Sequence, residues 1–214
     1  MRQSAIGFKS KGLMLEGVVA SPHGVAGSLP AVVVCHPHPL FGGNMDNAVV
    51  LGLCQSLAGE GFVTLRFNFR GIGKSEGEFT KGEKEQEDVK AALGLLREWP
   101  GVNRRKVGLA GYSFGAAMVL SGLSRYKGAG ALMLVSPPPS AFDAPKLGKD
   151  ARPKLLVTGD RDRLSPYDSI ADKARTLGGD VQVSLVPGAD HSWRGHEAEA
   201  GDLAAKFFAG ALAG

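Results

Sequence analysis

Short β-branched runs alternate with runs of helical period along almost the whole chain. Ala5–Lys9 and Leu13–Ala20 read as a hairpin that turns at Ser10-Lys11-Gly12. Ala31–His36, Val63–Phe69, Lys106–Ala110, Ala129–Ser136, Lys154–Thr158 and Val181–Val186 are nearly continuous in apolar residues. That is the pattern of parallel strands covered by helices on both faces. Amphipathic segments lie between them. In the clearest, Val89, Ala92, Leu93 and Leu96 fall at i, i+3, i+4 and i+7, while Glu85, Glu87, Lys90 and Arg97 take the other faces. Asn47–Ala58, Ala116–Leu123, Pro166–Leu177 and His196–Leu212 read the same way. The expected fold is α/β: a mostly parallel, doubly wound sheet with an antiparallel N-terminal hairpin and helices on both faces. Ligands of such sheets bind outside the carboxyl ends of the strands, so chemistry is to be sought just after each strand.

Composition narrows this further. A chain of 214 residues, 43% of them hydrophobic, can bury its own core, and with no internal repeat or linker a single domain over 1–214 is expected. The 31 Gly and 12 Pro make it rich in turns. The net charge of +4 is dispersed apart from Arg104-Arg105-Lys106, which reads as a solvated loop, so no nucleic-acid partner is expected. The N-terminus has no apolar signal core, and no stretch approaches the roughly 18 apolar residues of a membrane span, so the expectation is no membrane partner and a cytoplasmic location. Cys35 and Cys54 both sit in apolar runs and read as buried thiols, which excludes a disulfide framework.

Two glycine-rich stretches invite a phosphate-loop reading or a catalytic one. Gly71-Ile72-Gly73-Lys74-Ser75 fails as a P-loop, because Asn68 stands where the first glycine belongs. It also fails as a Rossmann turn, because Gly77 falls one place too late. Both motifs need a helix to begin at once, whereas Glu76–Gly82 intervenes. The pattern G-x-S-x-G occurs twice, and context separates the copies. Gly73-Lys74-Ser75-Glu76-Gly77 has no apolar helix after it. Gly111-Tyr112-Ser113-Phe114-Gly115 follows the strand Lys106–Ala110 and precedes the apolar run Ala116–Leu123. Strand, tight turn and helix together make a nucleophile elbow, whose serine is held in a strained conformation between small neighbours.

A serine hydroxyl needs a base, and the base needs an orienting carboxylate. After Ser113 they should follow in the order acid then histidine, each just past a later strand. Lys154–Thr158 leads into Gly159-Asp160-Arg161-Asp162, and Val181–Val186 leads into Pro187-Gly188-Ala189-Asp190-His191. Asp162 is the expected acid, with Asp160 as its rival, whose other role is to bond backbone in the turn. His191 is the expected base. His196 is the weaker rival because it opens the last helix, and Asp190 shapes the loop. An oxyanion hole would take one N–H from Phe114 and one from the loop His36–Asn44. Pro37 and Pro39 have no N–H, leaving His38, Leu40 and Phe41, of which His38 is favoured. His36 reads as a buried loop anchor. No ligand-spaced carboxylate or cysteine accompanies these histidines, so no metal is expected.

With these residues assembled, the chain resembles the α/β-hydrolase superfamily, and within it the small, cap-poor serine hydrolases similar to dienelactone hydrolase. The resemblance runs through His36-Pro37-His38-Pro39 with Gly42-Gly43, Arg66–Gly71 with Gly73 and Ser75, Gly111–Gly115, Gly159 with Asp162, and Asp190-His191. It implies an α/β-hydrolase fold, a Ser113–His191–Asp162 triad, no cofactor, a small-molecule ester or thioester substrate, and a structural role for Arg66–Ser75. Dienelactone hydrolase itself carries cysteine at the elbow, so Ser113 speaks against that activity. A cap in this superfamily enters after the strand matching Ala129–Ser136, and Pro137–Ala151 is too short to hold one. An open site for small or slender acyl groups follows, lined by Leu40, Phe41, Tyr112, Phe114, Pro137, Leu164 and Trp193. Peptidase or acyl-transferase activity with the same triad, or a non-catalytic binding protein on this fold, are the alternatives.

Overall fold

The computed structural model describes residues 1–22, 27–143 and 147–213. The N-terminal hairpin pairs β1 (Arg2–Ser10) with β2 (Leu13–Ser21) in antiparallel register, Phe8 facing Leu15. Then come β3 (Leu29–Cys35), α1 (Ala48–Gly59), β4 (Val63–Phe67), α2 (Glu85–Arg97), β5 (Val102–Tyr112) and α3 (Phe114–Ser121). The chain continues through β6 (Ala131–Val135), β7 (Lys154–Gly159), α4 (Tyr167–Ala174), β8 (Val181–Val186) and α5 (Glu197–Ala211). The eight strands form one sheet in the order β1-β2-β4-β3-β5-β6-β7-β8, parallel from β4 onwards.

Side chains of a strand alternate between faces. In β3, Ala31, Val33 and Cys35 join the core under α2, α3 and α4, while Val32 and Val34 join the core under α1 and α5. All five are inaccessible to solvent, which is why the run carries no polar position. In β6, Leu132 and Leu134 face the first core, and Ala131, Met133 and Val135 face the second. Both cysteines are buried free thiols. Burial pushes the Cys54 thiol up to about 11.

Two strand expectations need correction. Val181–Val186 is the sheet edge, not a strand covered on both faces: five of its six residues are partly or fully exposed. Its Gln182 and Ser184 mark the half-solvated alternation of an edge. Arg104 and Arg105 are exposed, but they belong to β5, which begins at Val102 and carries them out along the sheet instead of in a loop. Between β6 and β7 the described residues form only short 3-10 turns at Pro139–Asp143 and Leu147–Lys149, and no substantial cap covers the carboxyl ends of the strands. Residues 144–146 of the connection Pro137–Ala151 lie outside the described set. No described helix is long and apolar enough to cross a membrane.

Candidate active site

The turn from β5 into α3 sets Ser113 at φ 53 and ψ −111, a left-handed conformation costly for a residue with a Cβ. The turn is tight because its flanks carry no side chains. A Cβ on Gly111 would lie 2.5 Å from the Gly115 carbonyl, and one on Gly115 would lie 2.3 Å from the Cys35 carbonyl oxygen. The Ser113 N–H donates to the Val135 carbonyl at 2.8 Å, fastening the turn to β6. Serine at this position usually caps its helix through the hydroxyl. Here the hydroxyl caps nothing and lies 3.0 Å from Nε2 of His191.

His191 stands in the turn after β8. Its Nδ1 is 3.0 Å from both carboxylate oxygens of Asp162, in the turn after β7. A carboxylate only accepts, so Nδ1 carries the hydrogen and the neutral ring presents an unprotonated Nε2 to Ser113. Asp162 also accepts from the N–H groups of Leu164 and Ser165 and from the Ser136 hydroxyl. Burial works to raise its proton affinity. The bonds from His191 and Ser136 outweigh that and hold the carboxyl below the usual range. The two rivals lie elsewhere in the loops: exposed Asp160 accepts from the Gly188 N–H at 2.7 Å, and His196 precedes α5 and bonds Glu199. Asp190 shapes the turn that carries His191 by accepting from the N–H and hydroxyl of Ser192. The Tyr112 phenol donates to the His191 carbonyl, and burial, with the charges of Asp162 and Asp190, pushes its proton affinity up.

The loop after β3 faces the elbow. Leu40 N–H reaches Nδ1 of His38 and Phe41 N–H reaches the His38 carbonyl. Among the described residues, the N–H groups of His38 and Phe114 donate to no protein acceptor. The His38 ring sits in a cluster with Phe41, Phe79 and Phe114, centroids 5.2 to 5.4 Å apart. His36 is fully buried, its Nδ1 donating to the Pro37 carbonyl and its Nε2 accepting from the Phe69 N–H. Beside it, Asn68 donates to Glu16 and accepts from the Met45 N–H, and Arg70 forms a buried ion pair with Asp88.

Burial lowers His36 to about 4, against a bond to Pro37 that pulls the other way. Because the unfolded chain takes up this proton more readily, stability is expected to fall as pH drops from about 6.5 towards 4, by at most about 3 kcal/mol for this group. Asp162 acts with the same sign below that window, its contribution being lost as the depressed carboxyl protonates. Urea titrations from pH 7 to 4 check this. A flat wild-type profile, or a His36→Asn variant with an unchanged slope, would refute the assignment to His36.

Ser113 and His191 open into a cleft of about 830 Å³, whose lining includes His38, Phe41, Tyr112, Phe114 and Leu164. Three expected lining residues are not there. Trp193 is fully buried, its left-handed φ of 58 turning the indole into the core, where Nε1 bonds the Ser136 hydroxyl at 2.9 Å. Pro137 is buried, and the next residue, Pro138, lines the cleft in its place. Leu40 is 68% exposed and points away from the lining, which the adjacent Phe41 supplies. Sequence reading missed Ala117 and Met118, which follow Ser113 by about one helical turn, and Arg194 and Glu197 beyond His191. It also missed Ser136, although that residue stands just past a strand end, where chemistry was to be sought.

The sheet order, the strained serine at a strand-to-helix turn and the later acid and histidine turns define the α/β-hydrolase class. Within it, residues 15–209 match the dienelactone hydrolase family, and the chain belongs to that family. It is 32% identical over 173 residues to an uncharacterised protein of Rickettsia prowazekii, covering 77% of this chain and 72% of that protein. Among solved structures it is similar to an α/β serine hydrolase homologue from Coxiella burnetii, at 33% identity and a TM-score of 0.84 over 96% of this chain and 97% of that one. It is also similar to an α/β serine hydrolase without lid from Xanthomonas campestris, at 26% identity and a TM-score of 0.86 over 100% and 97%.

Proposed function

We propose that the protein is a serine esterase that cleaves small carboxylic esters or thioesters through an acyl-enzyme on Ser113. The observation that carries this reading is the continuous line from Asp162 through Nδ1 and Nε2 of His191 to the Ser113 hydroxyl, each step 3.0 Å. In this reading Ser113 Oγ attacks the carbonyl carbon while His191 Nε2 takes the hydroxyl proton, and Asp162 stabilises the imidazolium. The oxyanion is bound by the N–H groups of Phe114, at the positive end of α3, and His38, neither of which has a protein acceptor among the described residues. His191 returns the proton to the departing alcohol or thiol. Water, activated by the same histidine, then releases the acid.

An uncapped cleft open to solvent favours short or slender acyl groups, and the Xanthomonas relative without a lid supports the same reading. A panel of p-nitrophenyl esters is expected to give its highest kcat/KM at two to about six acyl carbons. A strong preference for long-chain triglyceride would overturn the small-ester assignment. A fluorophosphonate probe is expected to label the wild-type chain, and absence of labelling would remove the acyl-enzyme reading altogether.

A further inference from the structure

Behind Asp162, on the side away from the cleft, lies a second line of hydrogen bonds that the proposed chemistry does not use. Ser136, the first residue after β6, is fully buried and donates its hydroxyl to Asp162 Oδ2 at 2.6 Å. Trp193, two residues beyond the base, places its indole Nε1 2.9 Å from the same Ser136 oxygen. The direction of this chain is fixed. An indole N–H only donates, so Ser136 Oγ accepts from Trp193 and its own hydrogen is left for the carboxylate. Of the five non-glycine residues with left-handed φ among those described, three are Ser113, Ser136 (φ 45) and Trp193 (φ 58). Strain of this kind persists only where the surroundings hold it, and here it gathers on the two sides of the Asp162–His191 pair.

From this geometry we infer that Ser136 and Trp193 are positioning residues, a buried relay that fixes the Asp162 carboxylate and moderates the charge it presents to His191. The inference rests on the proposed role of the Ser113–His191–Asp162 line. Asp162 Oδ1 is held by Leu164 and Ser165, whereas among the described residues Oδ2 has only Ser136 besides His191. Without the hydroxyl, that oxygen is free to turn and the carboxylate loses a charge-assisted bond. Its negative charge then bears more strongly on the imidazole, which holds its proton to higher pH. The relay also joins three turns, because the Ser136 N–H bonds the Val157 carbonyl of β7 while Trp193 anchors the loop that carries the base. The other ionisable groups about His191 are Tyr112 from β5, Asp190 on its own turn, and His38, Lys81, Arg194 and Glu197 lining the cleft. They are common to every variant proposed below.

The test measures the second-order rate of fluorophosphonate labelling against pH, and kcat and KM on p-nitrophenyl acetate, for wild type, Ser136→Gly, Ser136→Cys and Trp193→Phe, with Ser113→Ala as blank. Ser136→Gly removes the hydroxyl while relieving the left-handed backbone, so it separates the hydroxyl from the strain. It is expected to lower the labelling rate and kcat by about 10- to 100-fold with KM nearly unchanged, and to move the acid limb of the pH profile upward by about half a unit. Ser136→Cys, which keeps a weak donor, is expected to recover part of the loss. Trp193→Phe, which keeps an aromatic ring of smaller volume and deletes the N–H, is expected to fall between wild type and Ser136→Gly. Thermal melts and labelling stoichiometry normalise each rate to folded protein. Wild-type rate and limb in Ser136→Gly, while Ser113→Ala is inert, would overturn the relay alone. A rate loss without movement of the limb would reduce Ser136 to loop packing, which also overturns it. A wild-type chain that does not label, or a Ser113→Ala chain that stays active, would overturn the relay together with the proposed function.

Discussion

Ser113→Ala is expected to abolish fluorophosphonate labelling and to lower ester turnover by about four to six orders of magnitude, with the fold intact. The fold should survive because the hydroxyl does little for it: it caps no helix N–H, and its polar contact is with His191. Backbone strain makes a companion variant informative. Alanine retains the Cβ that makes φ 53 costly, whereas Ser113→Gly removes it. Ser113→Gly is therefore expected to be as inactive as the alanine variant yet more stable than wild type, by about 1–2 kcal/mol. A gain of that sign at the nucleophile position means that the conformation is held for reactivity at the expense of stability. Turnover close to wild type in Ser113→Ala would refute the assignment of the nucleophile. A Ser113→Gly variant less stable than wild type would show that the left-handed turn carries no strain.

The parts of this molecule that were legible in the sequence are those in which one physical constraint fixes a residue type at each position. The central strands lie between two helical layers, so Ala31–Cys35 and Ala131–Val135 are apolar at every place and their limits stand out. The elbow is legible because close backbone approach excludes side chains at Gly111 and Gly115. The turns that carry Asp162 and His191 are legible because the sheet gathers the strand ends on one side. Side-chain direction in the loops has no comparable periodicity. An aromatic residue two places after the base looks like pocket lining, yet a single left-handed φ turns Trp193 into the core. The run Pro137-Pro138-Pro139 gives no sign of which ring faces the cleft. Ser136 was hidden for a related reason: a serine ending a strand looks the same whether it faces water or holds a buried carboxylate. The edge strand β8 was misread because its Val and Leu residues outweighed Gln182 and Ser184, which mark the solvated face.

The choice between the two aspartates of the turn after β7 gives the second large expected effect. Asp162→Asn is expected to lower turnover by about 10⁴-fold, whereas Asp160→Asn should stay within about threefold of wild type. The difference follows from what each carboxylate accepts. Asp162 is 3% exposed and receives the N–H groups of Leu164 and Ser165, the Ser136 hydroxyl and Nδ1 of His191. An asparagine there has one acceptor oxygen for these donors and turns an amide N–H towards at least one of them. The imidazole then loses the partner that keeps the hydrogen on Nδ1, and with it the free Nε2 that faces Ser113. Leaving a buried donor unpaired also costs about 1–3 kcal/mol, so this variant should melt below wild type as well. Asp160 is exposed and accepts one N–H, from Gly188, a bond that an asparagine oxygen makes equally well. Measuring kcat/KM for both variants on one short ester, with melting curves alongside, decides between them. If Asp160→Asn loses the activity and Asp162→Asn keeps it, the acid is Asp160, and the 3.0 Å contacts between Asp162 and His191 play no part in turnover.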